Sequence, residues 1–156
     1  MWKYMTWRAV PFAGIAAGTV FLLTNLLLMP SVLEIEAAVV LRYIASLVLG
    51  TDALTNDSAS VLVVGVIVHY VFSMLFTMVI AIVIHRWGLA IGIIGGAILG
   101  LAIYGINLYT FTVFFDWFFA INSNVLLVSH VLFGATAGGV YELFDHYDEG
   151  LKHETA

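Results

Sequence analysis

From Ser60 to Ile84 the chain carries no Asp, Glu, Lys or Arg. At a rise of ~1.5 Å per residue, a helix of that length matches the hydrocarbon thickness of a bilayer, which takes ~20 apolar residues to cross. Such a segment has nowhere to go in water unless a large soluble domain wraps it. No such domain is available: of 156 residues, 63% are hydrophobic and 10% charged, against about 45–50% and 25% in ordinary soluble domains. Lipid must therefore solvate most of the surface.

Three further segments have the same character. Span 1 is predicted over about 10–29, with Pro11 tolerated in its first turn and Pro30 just past its end. Span 2 covers about 60–84. Span 3 runs from Gly88 to about Phe115, long enough to tilt, and span 4 covers about 124–144. Only His85-Arg86-Trp87 separates spans 2 and 3, while the aromatic run Phe114-Phe115-Asp116-Trp117-Phe118-Phe119 joins spans 3 and 4. Amphipathic rings of that kind settle at the headgroup level. Lys3 and Arg8 before an apolar run resemble a signal peptide, but no small-x-small cleavage site follows Met29-Pro30, so the segment is read as a retained span.

Residues 31–50 are helical in pattern, yet they include Glu34, Glu36 and Arg42. Positive charge concentrates on the cytoplasmic side of membrane proteins. Four spans with the N-terminus inside put Lys3, Arg8, Arg86 and Lys152 on that side and leave only Arg42 outside. A fifth span at 31–50 would move Arg86 and Lys152 outward. The expected fold is thus an all-α membrane protein: a four transmembrane helix bundle with an extra interfacial helix between spans 1 and 2. Thr51–Ser58 would form an external loop, and 145–156 an acidic, solvated cytoplasmic tail containing His146 and His153. The expected location is a bacterial inner membrane, with both termini cytoplasmic.

Lipid tails supply little hydrophobic drive for helices to meet, so small residues that allow close backbone approach take over. They recur every four residues here: Gly14 and Gly18 in span 1, Gly88, Gly92, Gly96 and Gly100 in span 3, Gly134 and Gly138 in span 4. These are the expected packing residues, toward another span or toward a second subunit. Polar residues keep the same spacing. Gly65, His69, Ser73 and Thr77 share one face of span 2, and His130, Gly134, Gly138 and Glu142 one face of span 4. Thr24 and Asn25 come from span 1, Tyr104 and Asn107 from span 3. A rise of ~1.5 Å per residue sets His69 ~13 Å, His130 ~9 Å and Asn107 ~12 Å below the outer ends of their spans.

Asn25, His69, Ser73, Tyr104, Asn107 and His130 therefore form the candidate polar cluster. Intramembrane ionisable groups are costly and face the bundle interior. Two readings compete: neutral imidazoles hydrogen-bonded between helices, or a haem b or metal ion held by His69 and His130. The first is preferred and no cofactor is predicted, since a metal site ordinarily adds a third ligand or a carboxylate second partner. Glu142 is expected at the inner interface, solvated or paired with Arg86 or Lys152.

No nucleophile–base–orienter set, paired-carboxylate site or phosphate loop is present, so no enzyme activity is predicted. The formal charge of −5 argues against nucleic acid. The absence of cysteine excludes disulfides, thiolate catalysis and Cys-ligated clusters.

From His69 onward the chain resembles the YagU-like family of small bacterial inner-membrane proteins. The resemblance is carried by His69-Tyr70-Val71-Phe72-Ser73, the Gly92–Gly100 ladder, Phe115-Asp116-Trp117, and Ser129-His130 with Gly134; span 3 lacks the prolines expected near its outer end in that family. The resemblance implies a small multi-span bundle and carries no catalytic residues. The expected role is non-catalytic: an accessory or structural subunit in contact with the bilayer and with other membrane subunits or itself. A haem- or metal-binding bundle and a small oligomeric transporter or channel are the alternatives.

Overall fold

The structure, a computed structural model, describes residues 5–85 and 87–154, with side chains described as far as Asp145. The side chains of Lys3, Arg86, His146, Lys152 and His153, invoked above for orientation or for the tail, lie outside the described residues. Within them, helix α1 spans Ala9–Leu33, α2 Ala37–Leu49, α3 Ala59–Ile84, α4 Leu89–Ile106, α5 Thr112–Phe114 and α6 Asn124–Glu154. A π turn over Asn107–Phe111 joins α4 to α5, so Leu89–Phe114 runs as one apolar rod of 26 residues. With α1, α3 and the first part of α6 it makes four helices long and apolar enough to cross a membrane. Their outward side chains are large and bare; Val113 and Phe114 are each 75% exposed. That surface suits lipid.

The interior is arranged around α1 and α6, which pack along each other; α3 flanks α1, and α4 flanks α6. Helices α3 and α4 leave a common turn yet touch little, parting as they run away from it. At the turn end Ala9, Ala13, Ile80, Ile84, Ala137 and Tyr141 form a tight core. At the opposite end Met29, Val40, Ile121 and Val125 form a second one beneath α2. This α2, with 13 residues, spans only ~20 Å and is too short to cross. It lies on α3, its Leu41 carbonyl against Gly65. Arg42 is held there by Asp57 and by Glu36 at 3.8 Å, so the one cation predicted on the outer side is matched locally.

The glycine ladder is used inside the chain. A Cβ added at Gly96 would strike the Gly134 carbonyl, one at Gly134 the Gly96 carbonyl, and one at Gly100 the His130 carbonyl. Gly92 and Gly138 face each other in the same way. Helices α4 and α6 therefore meet backbone to backbone, as van der Waals-driven association in lipid favours. Gly14 and Gly18 receive Met74 and Ser73 of α3.

Four expectations change. Pro30 is inside α1, not beyond it; it stands in the last turn, where its missing N–H deprives only the Leu26 carbonyl. The helix ends instead at Glu34, in the left-handed region at φ 55°. The inter-span helix is accordingly shorter than 31–50. Gly88 is not a ladder residue: it caps α4 at φ 83°, a conformation that favours glycine. Finally, α6 continues as a helix through Glu154, past the expected end of span 4 at 144, and Asp145 is buried, at 4% exposure.

Candidate functional site

Away from the α3–α4 turn, the four long helices line a half-open cavity of about 130 Å³. All six residues of the predicted polar cluster line it: Asn25 from α1, His69 and Ser73 from α3, Tyr104 and Asn107 from α4 and its π turn, His130 from α6. Apart from Thr112, whose hydroxyl bonds the Leu108 carbonyl, the remaining lining is apolar and rich in phenylalanine, with Val40, Ile44 and Leu47 of α2 covering it from the end. The π turn matters here. Tyr104, Asn107, Leu108, Phe111 and Thr112 reach the cavity wall at i, i+3 and i, i+4 spacing, so one face of the rod stays toward it through the π turn; such bulges recur at functional sites.

The hydrogen bonds assign the imidazole tautomers. His69 Nε2 lies 2.8 Å from the Gly18 carbonyl, which can only accept, so Nε2 carries the proton. Ser73 Oγ donates to the His69 carbonyl at 2.9 Å. His130 Nδ1 lies 2.8 Å from the Leu126 carbonyl and is protonated for the same reason. In the neutral ring, His130 Nε2 then accepts from Asn107 Nδ2 at 3.2 Å. Tyr104 donates to Asn122 Oδ1 at 2.8 Å, and Asn25 Nδ2 to the Phe21 carbonyl at 2.8 Å. Two amide oxygens remain: Oδ1 of Asn25 and Oδ1 of Asn107 are buried and take no hydrogen bond among the described residues.

The two histidines share the cavity but not a common point. Phe21 stands between them, stacked on His69 at 5.5 Å between ring centroids and edge-on to His130 at 4.9 Å. Each imidazole already uses a ring nitrogen on a backbone carbonyl. Among the described residues no group of three or more His, Asp and Glu is placed to hold a metal ion.

Where α3 and α4 part, aromatic rings fill the space instead of backbone contact. Phe72 stacks on Phe76 at 5.9 Å and meets Phe111 edge-on at 6.0 Å. Trp117, from the connecting segment, donates to Ser46 of α2 at 2.9 Å and ties that segment over the same end.

A second polar cluster occupies the turn end, and only Glu142 of it was singled out by sequence reasoning. Glu142 is wholly buried, not solvated at an interface; it accepts from the Gly88 N–H at 3.0 Å. A partnership with Arg86 or Lys152 falls outside the described residues. Thr6 Oγ1 donates to Asp145 Oδ1 at 2.5 Å, and His85 Nδ1 lies 3.6 Å from Asp145 Oδ2 and 3.4 Å from Tyr141 Oη. The network stitches the segment before α1, the end of α3 and α6 together. The i, i+3 and i, i+4 spacing of Tyr141, Glu142 and Asp145 was the available signal, since it puts the three on one side of a helix.

No protein-family model, curated protein or solved structure matches this chain, and the resemblance to the YagU-like family rests on its motifs alone.

Proposed function

We propose that this polytopic membrane protein is a non-catalytic binding protein that holds a small lipophilic molecule from the bilayer in the cavity beneath α2. One observation carries this reading. Polar groups from all four long helices converge on a single cavity of about 130 Å³ whose other walls are apolar, the combination by which small-molecule sites are recognised. Its size is close to that of an engineered cavity of about 150 Å³ that binds benzene. The tight turn-end core of Ile80, Ile84, Ala137 and Tyr141, each 0% exposed, closes the far end. This favours holding a ligand over conducting one through a single chain. The cavity end faces outward in a bacterial inner membrane, a reading supported by Arg8, which stands at the opposite end of α1. An accessory role in a larger membrane assembly fits a protein that binds without reacting. Its glycine ladder, however, supports internal packing.

The test is equilibrium binding of n-propylbenzene to the protein in nanodiscs, together with an absorption spectrum. Saturable binding of one molecule per chain, above partition into lipid, is expected. Binding that scales only with lipid content sinks the proposal. So does a Soret band with stoichiometric iron, which would make the cavity a haem site held by His69 and His130.

A further inference from the structure

The two amide oxygens without partners specify the ligand further. Their assignment does not depend on a choice of amide orientation. Asn25 must turn its NH2 toward the Phe21 carbonyl, because a carbonyl accepts and cannot donate. The Leu126 carbonyl fixes the proton of His130 on Nδ1, which makes Nε2 an acceptor and turns the Asn107 NH2 toward it. Both remaining atoms are therefore acceptors, one from α1 and one from the π turn. Buried acceptors without a donor are costly, and the cavity lining contains no Asp, Glu, Lys or Arg to meet a charged ligand. What fits is neutral, carries hydroxyl or N–H donors and presents a flat apolar body to Phe21, Phe72, Phe111 and Phe133.

We propose that the cavity is a site for a neutral hydroxylated aromatic of the phenol class, taken from the lipid phase between α3 and α4, with Asn25 or Asn107 accepting the hydrogen bond from its hydroxyl. This rests on the cavity being a binding site, as proposed above, and adds the chemistry of the occupant. The route follows from the backbone. Helices α3 and α4 part on this side, and the rings of Phe72, Phe76 and Phe111, which can rotate, stand where closely packed backbone would otherwise block passage.

The experiment compares 4-propylphenol with 4-propyltoluene, in which a methyl replaces the hydroxyl, for binding to the full chain in nanodiscs, each corrected for its own lipid partition. The phenol is expected to bind roughly three- to tenfold more tightly, the gain of a net hydrogen bond. Because the probe has one hydroxyl, either Asn25→Leu or Asn107→Leu is expected to abolish that preference while the toluene still binds, toluene binding showing that the variant is folded. Equal binding of the two probes to the unsubstituted protein overturns the donor assignment and leaves the cavity reading intact. Saturable binding of neither probe overturns the cavity reading itself. A phenol preference that survives both substitutions overturns the role of the two asparagines.

Discussion

Replacing Gly134 by alanine tests whether α4 and α6 are held by backbone contact. A Cβ at position 134 would stand 2.8 Å from both Cα and N of Gly100 and would overlap the Gly96 carbonyl. Ordinary contact begins at 3.4 Å, so moving out from 2.8 Å requires the helices to separate by at least 0.6 Å. Neither neighbour is the tip of a flexible side chain that could swing away; both are helix backbone. A gap of 0.5–1 Å forfeits about a quarter to a half of the dispersion attraction of each facing pair, here along the most extensive helix pair in the bundle. Over-packing of this kind costs about 1–3 kcal/mol, and about 2 kcal/mol is expected. The helix propensity of alanine, worth up to about 1 kcal/mol in water, offers little offset because the segment stays helical in detergent. The assay is unfolding by SDS titration in mixed micelles, with Gly105→Ala as control, since nothing lies within 4 Å of a Cβ there. A Gly134→Ala protein within about 0.5 kcal/mol of that control, the spread of innocuous surface changes, would refute close backbone packing.

Three further predictions follow from other parts of the molecule. Asp145→Leu removes the acceptor for Thr6 and the partner of His85, so it should cost about 1–3 kcal/mol and quicken proteolysis before α1; Thr6→Val should show a smaller effect of the same sign, and unchanged proteolysis in both would disprove the tether. Gly88→Ala forces a β-carbon into φ 83°, a strain of about 1–2 kcal/mol, and an SDS titration unmoved by this change would show that the α4 cap tolerates side chains. Because the chain has no cysteine, single-cysteine variants report orientation cleanly: Thr55→Cys should react with a membrane-impermeant maleimide in intact spheroplasts and Lys152→Cys only after lysis, and the reverse pattern would invert the topology.

How much of this was legible in the sequence differs from feature to feature. The four long helices were, because an uncharged stretch such as Ser60–Ile84 has one stable environment and a known length requirement. The convergence of Asn25, His69, Ser73, Tyr104, Asn107 and His130 was legible as well, from helical spacing and depth. What spacing could not carry was the space between them. Phe21 looked like one more apolar residue of span 1, yet it separates the two imidazoles that paper geometry sets facing each other. The π turn over Asn107–Phe111 leaves no local mark in the sequence, which holds neither Pro nor Gly there. Glu142 and Asp145 were misplaced for a different reason: charge near a helix end suggests water, but α6 continues past both, and the segment before α1 folds over them. Gly88 fitted the four-residue ladder by number alone; its positive φ belongs to the turn that ends at it.

The pairing of α4 with α6 also bears on how the molecule is made. Synthesis runs from the N-terminus, so α3 and α4 are made before α6. Helix α4 has little purchase on α3, its neighbour in the chain, and its glycine face waits against lipid while residues 115–123 and then α6 are added. Helix α6 thus supplies both the closest backbone contact to α4 and one wall of the cavity. A chain halted short of it would display an uncovered glycine groove, a feature by which a membrane's quality control could tell an unfinished copy from a finished one.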